Sequence, residues 1–311
     1  MAQKDVLWGV DFGGTKIEGI VVEPADPPCI ISRLRIPTGK EKGYDHITRQ
    51  VKHLLNQLQQ ETGMQPDGVG IGIPGTMEPS TRTLKNANTT LLIGKYFKDD
   101  MEQLLNVPVK LANDANCFAL AEARFGAARK INPDAEVVFG VIMGTGVGAG
   151  VVVNGRIITG LQGITGEWGH NFLDMSGGPC YCGRTGCVET VISGPALEKY
   201  YTSLTGKKRS LREIYRISRK EDDLHAQKTI ERLEYFFGLG IARVINILDP
   251  EIIVLGGGVG NIDSLYTNGK AQAKKFVFNH TLETEFVRPE LGDSAGVLGA
   301  AYLMSEELEA D

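Results

Sequence analysis

Apolar runs at the start of the chain predict a β-hairpin turned by glycine. Residues 5–11 (DVLWGVD) have the character of a buried strand, and residues 16–22 (KIEGIVV) form a second strand. Gly13 and Gly14 lie between them, where a tight reversal favours residues without a Cβ. The pattern therefore predicts an antiparallel hairpin with Asp11 at its mouth.

Helical and strand periodicities alternate through the segment that follows. Residues 44–62 carry apolar side chains at helical spacing, and Gly63 is suited to end that helix. The turn Pro74-Gly75 follows the next apolar run. The remaining pattern predicts strands at 68–73 and 107–111 and helices at 99–106 and 114–125.

The pattern then restarts with a strand at 137–143, a glycine-rich turn at 144–150 (GTGVGAG) and a hairpin arm at 151–153. An offset of 131 places Gly13 on Gly144 and Gly19 on Gly150, which is a weak internal repeat. Further on, we expect helices at 195–205, 209–218, 223–247 and 263–276 and a strand at 251–255.

The repeat predicts two similarly built domains. We expect an N-terminal α/β domain at 1–115 and a larger C-terminal α/β domain at 116–293. A last helix, beginning at residue 294, is expected to pack back on the first domain with the C-terminal residues up to 311.

Composition indicates an ordinary globular protein with a net charge of −5, which offers no electrostatic footprint for nucleic acid. No stretch approaches the apolar length of a membrane span, and no secretory signal is evident at the N-terminus. The five cysteines, three of them clustered, suit a reduced compartment. We therefore expect a cytoplasmic protein that binds neither nucleic acid nor membrane.

Glycine is in excess, with 39 of 311 residues. Glycine lets backbone N–H groups approach phosphate closely, so two glycine hairpins and a glycine-rich strand-to-helix turn indicate a bound nucleotide, although tight turns alone would explain each one. Neither hairpin matches a P-loop or a dinucleotide fingerprint. In the nucleotide interpretation Asp11 positions Mg²⁺ through water, and the groups at the nucleotide are Thr15, Lys16 and Thr145 with Gly13, Gly14, Gly144, Gly146, Gly148, Gly257 and Gly258.

A second pattern, H-x9-C-x-C-x4-C, is formed by His170, Cys180, Cys182 and Cys187. Three thiolates and one imidazole make a closed tetrahedral Zn²⁺ site, which is structural because no position is left for water. The alternative is a set of unpaired surface thiols.

These motifs together resemble one family. D-x-G-G-T-K begins at Asp11, N-D-A-N at Asn113, G-T-G-V-G at Gly144, G-E-x-G-H at Gly166 and C-x-C-G-x-x-G-C-x-E at Cys180. In this order and spacing they resemble the ROK family of bacterial sugar kinases and repressors, in the actin and hexokinase superfamily. Stretches such as NANTTLL, GEWGHN and VNILDP are most similar to bacterial fructokinases, also described as manno(fructo)kinases, and N-acetylglucosamine kinases are nearly as close.

The resemblance implies two RNase-H-like α/β domains with a cleft between them, binding ATP, Mg²⁺ and a sugar. It places structural zinc in the loop 166–189, adenosine at the turn Gly256-Gly257-Gly258, and the catalytic base at Asp114. The residues alone favour a helix N-cap role for Asp114, and the resemblance reverses this preference. The sugar-binding residues that the resemblance implies are Gly75, Asn86, Asn88, Asn113, Asp114, Glu167, His170 and Glu189, with the second ring nitrogen of His170 facing the sugar.

The expected activity is ATP-dependent phosphorylation of a hexose to its 6-phosphate, with fructose first and N-acetylglucosamine, glucose or mannose as alternatives. Leu91 departs from the fructokinase-like pattern, which has Trp at this position. Some ROK proteins are sugar-responsive regulators with a helix-turn-helix before the first hairpin, for which a strand beginning at residue 5 leaves no room. Dimers are common in the family, so we expect a homodimer.

Overall fold

A computed structural model describes residues 6–87, 89–220 and 223–307. By compactness these divide into a first unit, residues 6–130, 155–165 and 290–307, and a second unit, residues 131–154 and 166–289. The boundary expected after residue 115 falls inside the first unit, because the helix that begins there packs against the helix at the C-terminal end of the chain.

Strands and helices occur along the whole described chain, with runs of consecutive strands in each half and four consecutive helices before β11. In chain order the strands are β1 (Leu7–Phe12), β2 (Lys16–Glu23), β3 (Cys29–Pro37), β4 (Val69–Ile73), β5 (Thr76–Met77), β6 (Leu84–Lys85), β7 (Val109–Asn113), β8 (Val137–Met143), β9 (Val147–Val153), β10 (Arg156–Ile157), β11 (Ile252–Gly256) and β12 (Glu285–Val287). The α-helices are α1 (Tyr44–Thr62), α2 (Phe97–Leu105), α3 (Asp114–Arg124), α4 (Ala127–Ile131), α5 (Val188–Ile192), α6 (Gly194–Thr205), α7 (Leu211–Lys220), α8 (Leu224–Leu248), α9 (Gly257–Gly260), α10 (Asn268–Lys274) and α11 (Ala295–Tyr302).

Each unit is built on a mixed sheet with the same core arrangement. The first sheet has the order β3-β2-β1-β4-β7, and the second contains β9-β8-β11-β12. In both, an antiparallel hairpin (β1–β2 or β8–β9) is followed by parallel strands. The internal repeat at an offset of 131 therefore reflects two sheets of matching topology.

Helix α1 covers the hairpin side of the first sheet. Its apolar face, including Val51, Leu54 and Leu58, is fully buried, and Gly63 ends the helix with a left-handed φ of 70°, as predicted. Gly19 of β2 lies beneath this helix, where a Cβ would come within 3.0 Å of the Leu54 side chain. The apolar face of α1 and the glycine in β2 thus both contribute to the contact between this helix and the sheet.

Helix α11 packs directly on the backbone of β1 and β4 in the first unit. A Cβ on Gly70 would overlap the carbonyl oxygen of Ala300, and one on Gly9 would meet the backbone of Ala301. On the other side, Gly299 lies against the carbonyl of Cys117 in α3. The helix can approach so closely only because these positions lack side chains.

Several elements differ from their sequence-based prediction. The predicted turn at 144–150 is confined to residues 144–146, and β9 begins at Val147. The absence of side chains at Gly166 and Gly169 lets their segment pack on the backbone of this strand. The expected helix at 263–276 is split into a 3₁₀ turn at Asp263–Leu265 and α10. Strands β3 and β12 were not predicted, because the alternation in β3 covers only residues 33–36 and β12 is only three residues long.

Helix α8 is the centre of the second unit's core. It buries Leu233, Phe237 and Ile241 against the second sheet and α10. It is also the longest helix within the described ranges, yet no helix there is apolar enough over sufficient length to cross a membrane.

Replacing Gly70 by Ala should destabilise the chain strongly, because the added methyl overlaps backbone that cannot move aside as a flexible side chain could. We expect a loss of about 3 kcal/mol or more in the free energy of unfolding, measured by denaturant titration. Gly258→Ala is the control, because open space surrounds that position. A loss at Gly70 no larger than that of the control would contradict the packing argument.

Candidate active site

The first element of the candidate site is the turn of the β1–β2 hairpin. The Gly13 N–H donates to the Lys16 carbonyl over 3.0 Å, and the Thr38 hydroxyl donates to the Gly13 carbonyl over 2.7 Å. A Cβ on Gly13 would lie 2.8 Å from the Lys16 oxygen, so this position requires glycine. Gly14 follows it, and Thr15 and Lys16 are exposed. The contact of both side chains with phosphate stays a prediction.

Asp11 and Asp114 lie close enough in the first unit for their charges to interact. Burial raises the pKa of Asp11 to about 6, and the negative charges of Asp114 and Glu18 add to the rise. Lys16 and Arg35 act in the opposite direction. Neighbouring carboxylates that repel each other favour a divalent cation, and carboxylate oxygens are ligands that Mg²⁺ prefers. The donor set therefore fits Mg²⁺.

Asp114 is exposed at the first position of α3, and Asn113 is the N-cap of that helix. The Ala115 N–H donates to Asn113 Oδ1 over 2.9 Å and to Asp114 Oδ1 over 2.8 Å. The capping role considered for Asp114 is thus filled by Asn113. The Asn113 amide also donates to the Gly75 carbonyl over 3.2 Å, so the structure brings these two predicted sugar-site residues together.

The loop after β4 carries the other sugar-site predictions of this unit. Gly75 has a φ of 140°, and a Cβ there would lie 2.9 Å from Ala87. Asn86 is exposed with a left-handed φ of 55°, next to this contact. Asn88 lies outside the described residues. Leu91 is 40% exposed, so it is available to a ligand although it is apolar.

In the second unit, the β8–β9 turn contains Gly144, Thr145 and Gly146. The Gly144 N–H donates to the Gly146 carbonyl over 2.9 Å. Gly148 lies within β9, paired with Ile142. Gly148 was expected in the turn, and this was wrong, because the strand begins one residue before it.

Gly144, Thr145 and Gly258 line one cavity of about 810 Å³ in the second unit, a volume typical of small-molecule sites. Gly257 begins α9 with a φ of 78°, and a Cβ there would overlap the Met143 carbonyl. The turn Gly256-Gly257-Gly258 therefore both begins α9 and forms part of the cavity wall. The cavity brings together groups predicted to bind the nucleotide.

Helix α7 supplies three cavity residues that the sequence analysis missed, Leu211, Arg212 and Tyr215. The Tyr215 hydroxyl donates to Asp263 over 3.1 Å, which holds the ring in place. Apolar periodicity predicts α7 as a helix, but it does not show which polar face meets a cavity.

His170, Cys180, Cys182 and Cys187 place their ligand atoms within 4.8 Å of one another. The Sγ atoms of Cys182 and Cys187 are 3.6 Å apart, and Cys180 Sγ is 3.6 Å from His170 Nδ1. Ligands at tetrahedral Zn–S and Zn–N distances are separated by roughly 3.5–3.8 Å. The cluster therefore fits the predicted structural Zn²⁺.

Tyr181 lies near three residues of this unit that were predicted to bind the sugar, His170, Glu167 and Glu189. Its hydroxyl lies 2.9 Å from His170 Nε2, the nitrogen predicted to face the sugar. Burial raises the pKa of Tyr181 to about 12, with a contribution from the charges of Glu189 and Glu167. The sequence analysis missed Tyr181, although its position between two zinc-site cysteines ties it to this loop.

Comparison with known proteins gives consistent matches over nearly the whole chain. A family model described as the ROK family matches residues 7–307. An N-acetyl-D-glucosamine kinase from Histophilus somni (strain 129Pt) is 34% identical over 313 residues, with 96% of this chain and 98% of the relative covered. The ROK hexokinase from Thermus thermophilus is 31% identical with a TM-score of 0.85, covering 97% of this chain and all of that chain (100%). A ROK family glucokinase from Streptomyces griseus, solved with glucose and AMPPNP, is 27% identical with a TM-score of 0.76, covering 96% and 99%.

Replacing Asp11 by Asn should stabilise the Mg²⁺-free chain at neutral pH. Because the pKa of Asp11 is raised from 3.8 to about 6, its stabilising contribution is complete below pH ~4 and is lost as the pH rises to about 6. We expect the advantage of Asp11→Asn over wild type to grow by about 1 kcal/mol between about pH 5 and about pH 7.5, measured by urea unfolding. Asp134→Asn, at an exposed position, is the control, and an advantage that is constant with pH would contradict the assignment.

The purified chain should contain about one zinc ion, measured by elemental analysis. Cys182→Ser should lose the metal and lower the Tm, because three ligands hold zinc less tightly than four. Cys29→Ser removes an exposed cysteine outside the cluster and should keep the metal. A wild-type chain that is fully active without zinc would contradict the site.

Proposed function

Because the chain belongs to the ROK family, we propose that it is an ATP-dependent hexose kinase. The observation that carries this proposal is the placement of Asp114, exposed at the start of α3 beside Asp11 and in the same unit as the first glycine hairpin. A base and a cation-binding carboxylate next to a phosphate-binding turn are the groups that phosphoryl transfer requires.

In the proposed reaction Asp114 accepts the proton of the sugar 6-hydroxyl as the hydroxyl attacks the γ-phosphorus of ATP. Asp11 would hold Mg²⁺ through water, and the bound ion would neutralise part of the phosphate charge. Backbone N–H groups at the turns of the two hairpins, with Thr15, Lys16 and Thr145, hold the phosphates. Because the transition state spreads charge over the phosphoryl oxygens, fixed donors at these turns need no rearrangement during the reaction.

We propose that the cavity beside Thr145 and Gly258 receives the nucleoside of ATP. Its volume of about 810 Å³ suits a nucleoside, and the glucokinase from Streptomyces griseus was solved with the ATP analogue AMPPNP. Arg212 and Tyr215 would then border the base or ribose.

The sugar would be held by short polar groups, since a hexose is polar on every edge. The proposed contacts are Gly75, Asn86, Asn88 and Asn113 from the first unit and Glu167, His170 and Glu189 from the second. Zinc would act indirectly, by fixing His170 and the chain that leads to Glu189.

N-acetylglucosamine is the first acceptor to test, because the curated relative from Histophilus somni is an N-acetyl-D-glucosamine kinase. Fructose was the first expectation from the motifs, and the comparisons favour the N-acetylglucosamine alternative over it. The exposed Leu91 is consistent with this order, because it replaces the Trp of the fructokinase-like pattern. Glucose and mannose complete the panel, ranked by kcat/KM.

We also propose that the chain forms a homodimer. Its support is a set of exposed apolar side chains beside α8, including Ile247 at 81% and Phe278 at 97% exposure. Exposed apolar groups of this size are typical of protein interfaces. Light scattering distinguishes one chain from two.

Asp114→Asn should keep the fold and the sugar affinity but lose phosphoryl transfer, because an amide cannot accept the hydroxyl proton. We expect kcat to fall by about 10²-fold or more with the best hexose, measured by coupled ADP release. Asp134→Asn is the matched control, at an exposed carboxylate before β8, at the opposite end of that strand from the β8–β9 turn.

Two outcomes would overturn the proposal. A well-folded Asp114→Asn protein with near wild-type kcat would remove Asp114 as the base. A wild-type chain that binds a hexose but phosphorylates none would instead favour a sugar-responsive, non-enzymatic role.

A further inference from the structure

Glu189 makes a contact that sugar binding does not require. Its Oε2 accepts the backbone N–H of Val147 over 2.9 Å, at the first residue of β9. The same oxygen lies against the turn, since a Cβ on Gly146 would be 2.6 Å from it. One carboxylate oxygen is therefore committed to the β8–β9 turn, which carries Gly144 and Thr145.

The other side of Val147 is held by the same loop. Gly169 lies so close that a Cβ there would overlap the Val147 carbonyl oxygen. Gly169 directly precedes the metal-site residue His170, and Glu189 follows the metal-site residue Cys187 by two positions. The N–H and the carbonyl of Val147 are thus contacted by two segments that the His–Cys cluster joins.

These segments are also joined by their backbones. The Val188 N–H donates to the Asn171 carbonyl over 2.9 Å, and the Gly194 N–H donates to the Gly144 carbonyl over 2.9 Å. Helix α5, which carries Glu189, is therefore bonded at its start to the residue after His170, and α6, which follows it directly, is bonded at its start to the β8–β9 turn.

We propose that Glu189 is a positioning residue for the phosphate-binding turn, through which the zinc-braced loop sets the affinity for the nucleotide. The inference rests on the proposed function, because it takes the β8–β9 turn as a phosphate site. It adds that the metal cluster acts on the nucleotide as well as on the sugar. The hydrogen bond, rather than the negative charge of Glu189, carries the effect.

Nucleotide binding without sugar tests this directly, because it removes any contribution of Glu189 to sugar contact. The probe is Mg²⁺ with AMPPNP, titrated calorimetrically into the zinc-loaded chain. Glu189→Ala should weaken the affinity by about tenfold or more, since a charge-assisted hydrogen bond to the turn is lost. Glu189→Gln should stay within about threefold of wild type, because its amide oxygen can still accept the Val147 N–H.

Glu251 provides a matched control at the opposite end of β8. Its carboxylate accepts the N–H groups of Glu136 and Val137 at 3.2 and 2.8 Å, at the end of β8 far from the turn. Glu251→Ala should lower the Tm and leave the AMPPNP affinity unchanged. A general weakening of the sheet would instead reduce the affinity in both variants.

Removal of zinc provides an independent test of the proposed link between the metal cluster and the nucleotide affinity. Wild type stripped of zinc by a chelator should lose AMPPNP affinity, and stripping Glu189→Ala should add little further loss, because both changes release the same turn. Zinc content and circular dichroism are measured on every sample. If Glu189→Ala does not fold, Glu189→Asp takes its place, since its shorter side chain withdraws the acceptor from Val147.

The inference is overturned if the alanine or aspartate variant binds AMPPNP as tightly as wild type, or if Glu189→Gln is as weak as the alanine variant. It is also overturned if zinc removal leaves the affinity unchanged. Failure of the proposed function looks different, because wild type itself would then bind no AMPPNP or phosphorylate no hexose.

Discussion

Contact of backbone with backbone at glycine positions is the constraint on which both units depend. In the first unit α11 reaches the sheet only because Gly9 and Gly70 present no side chain, and it reaches α3 only because Gly299 presents none. In the second unit the segment before His170 reaches β9 only because Gly166 and Gly169 do the same. The glycine excess therefore has two sources: turns suited to phosphate, and positions where one element lies on the backbone of another.

This packing also creates the electrostatic environment of the first unit's site. Gly296 of α11 lies against Asp11, where a Cβ would be 3.1 Å from Oδ2. Covered in this way and facing Asp114, Asp11 is unfavourable as a charged group, which is why its pKa is raised. Glu18, by contrast, is buried but paired with Arg33 and Arg35. The sheet thus pairs Glu18 with two arginines but leaves its cross-strand neighbour Asp11 in surroundings that disfavour its negative charge. Such an arrangement favours a bound cation and does not serve stability alone.

Elements with strong periodicity were predictable from the sequence, and elements that depend on distant contacts were not. Helix α1 was predicted over its full length, because its apolar stripe and Gly63 act locally. The start of β9 was missed, because glycines such as Gly148 are typical of turns in the sequence. Only the folded chain shows that the segment at Gly169 packs on this strand. The four zinc-site residues were predictable from spacing and lie together. Tyr181 was not, because its role comes from the position of His170 Nε2, which only the folded loop shows.

The distribution of these contacts separates phosphate handling from sugar choice. The groups proposed for phosphate are mainly backbone atoms in turns, held by hydrogen bonds such as that of Thr38 to Gly13 and that of Glu189 to Val147. The groups proposed to border the sugar are exposed side chains on loops, such as Asn86 and Leu91. A substitution on these loops disturbs no core packing, so the acceptor can change while the phosphate geometry stays. This is how one fold can serve kinases for several hexoses, and under the proposed function the exposed Leu91 is a position to vary when the choice of sugar is tested.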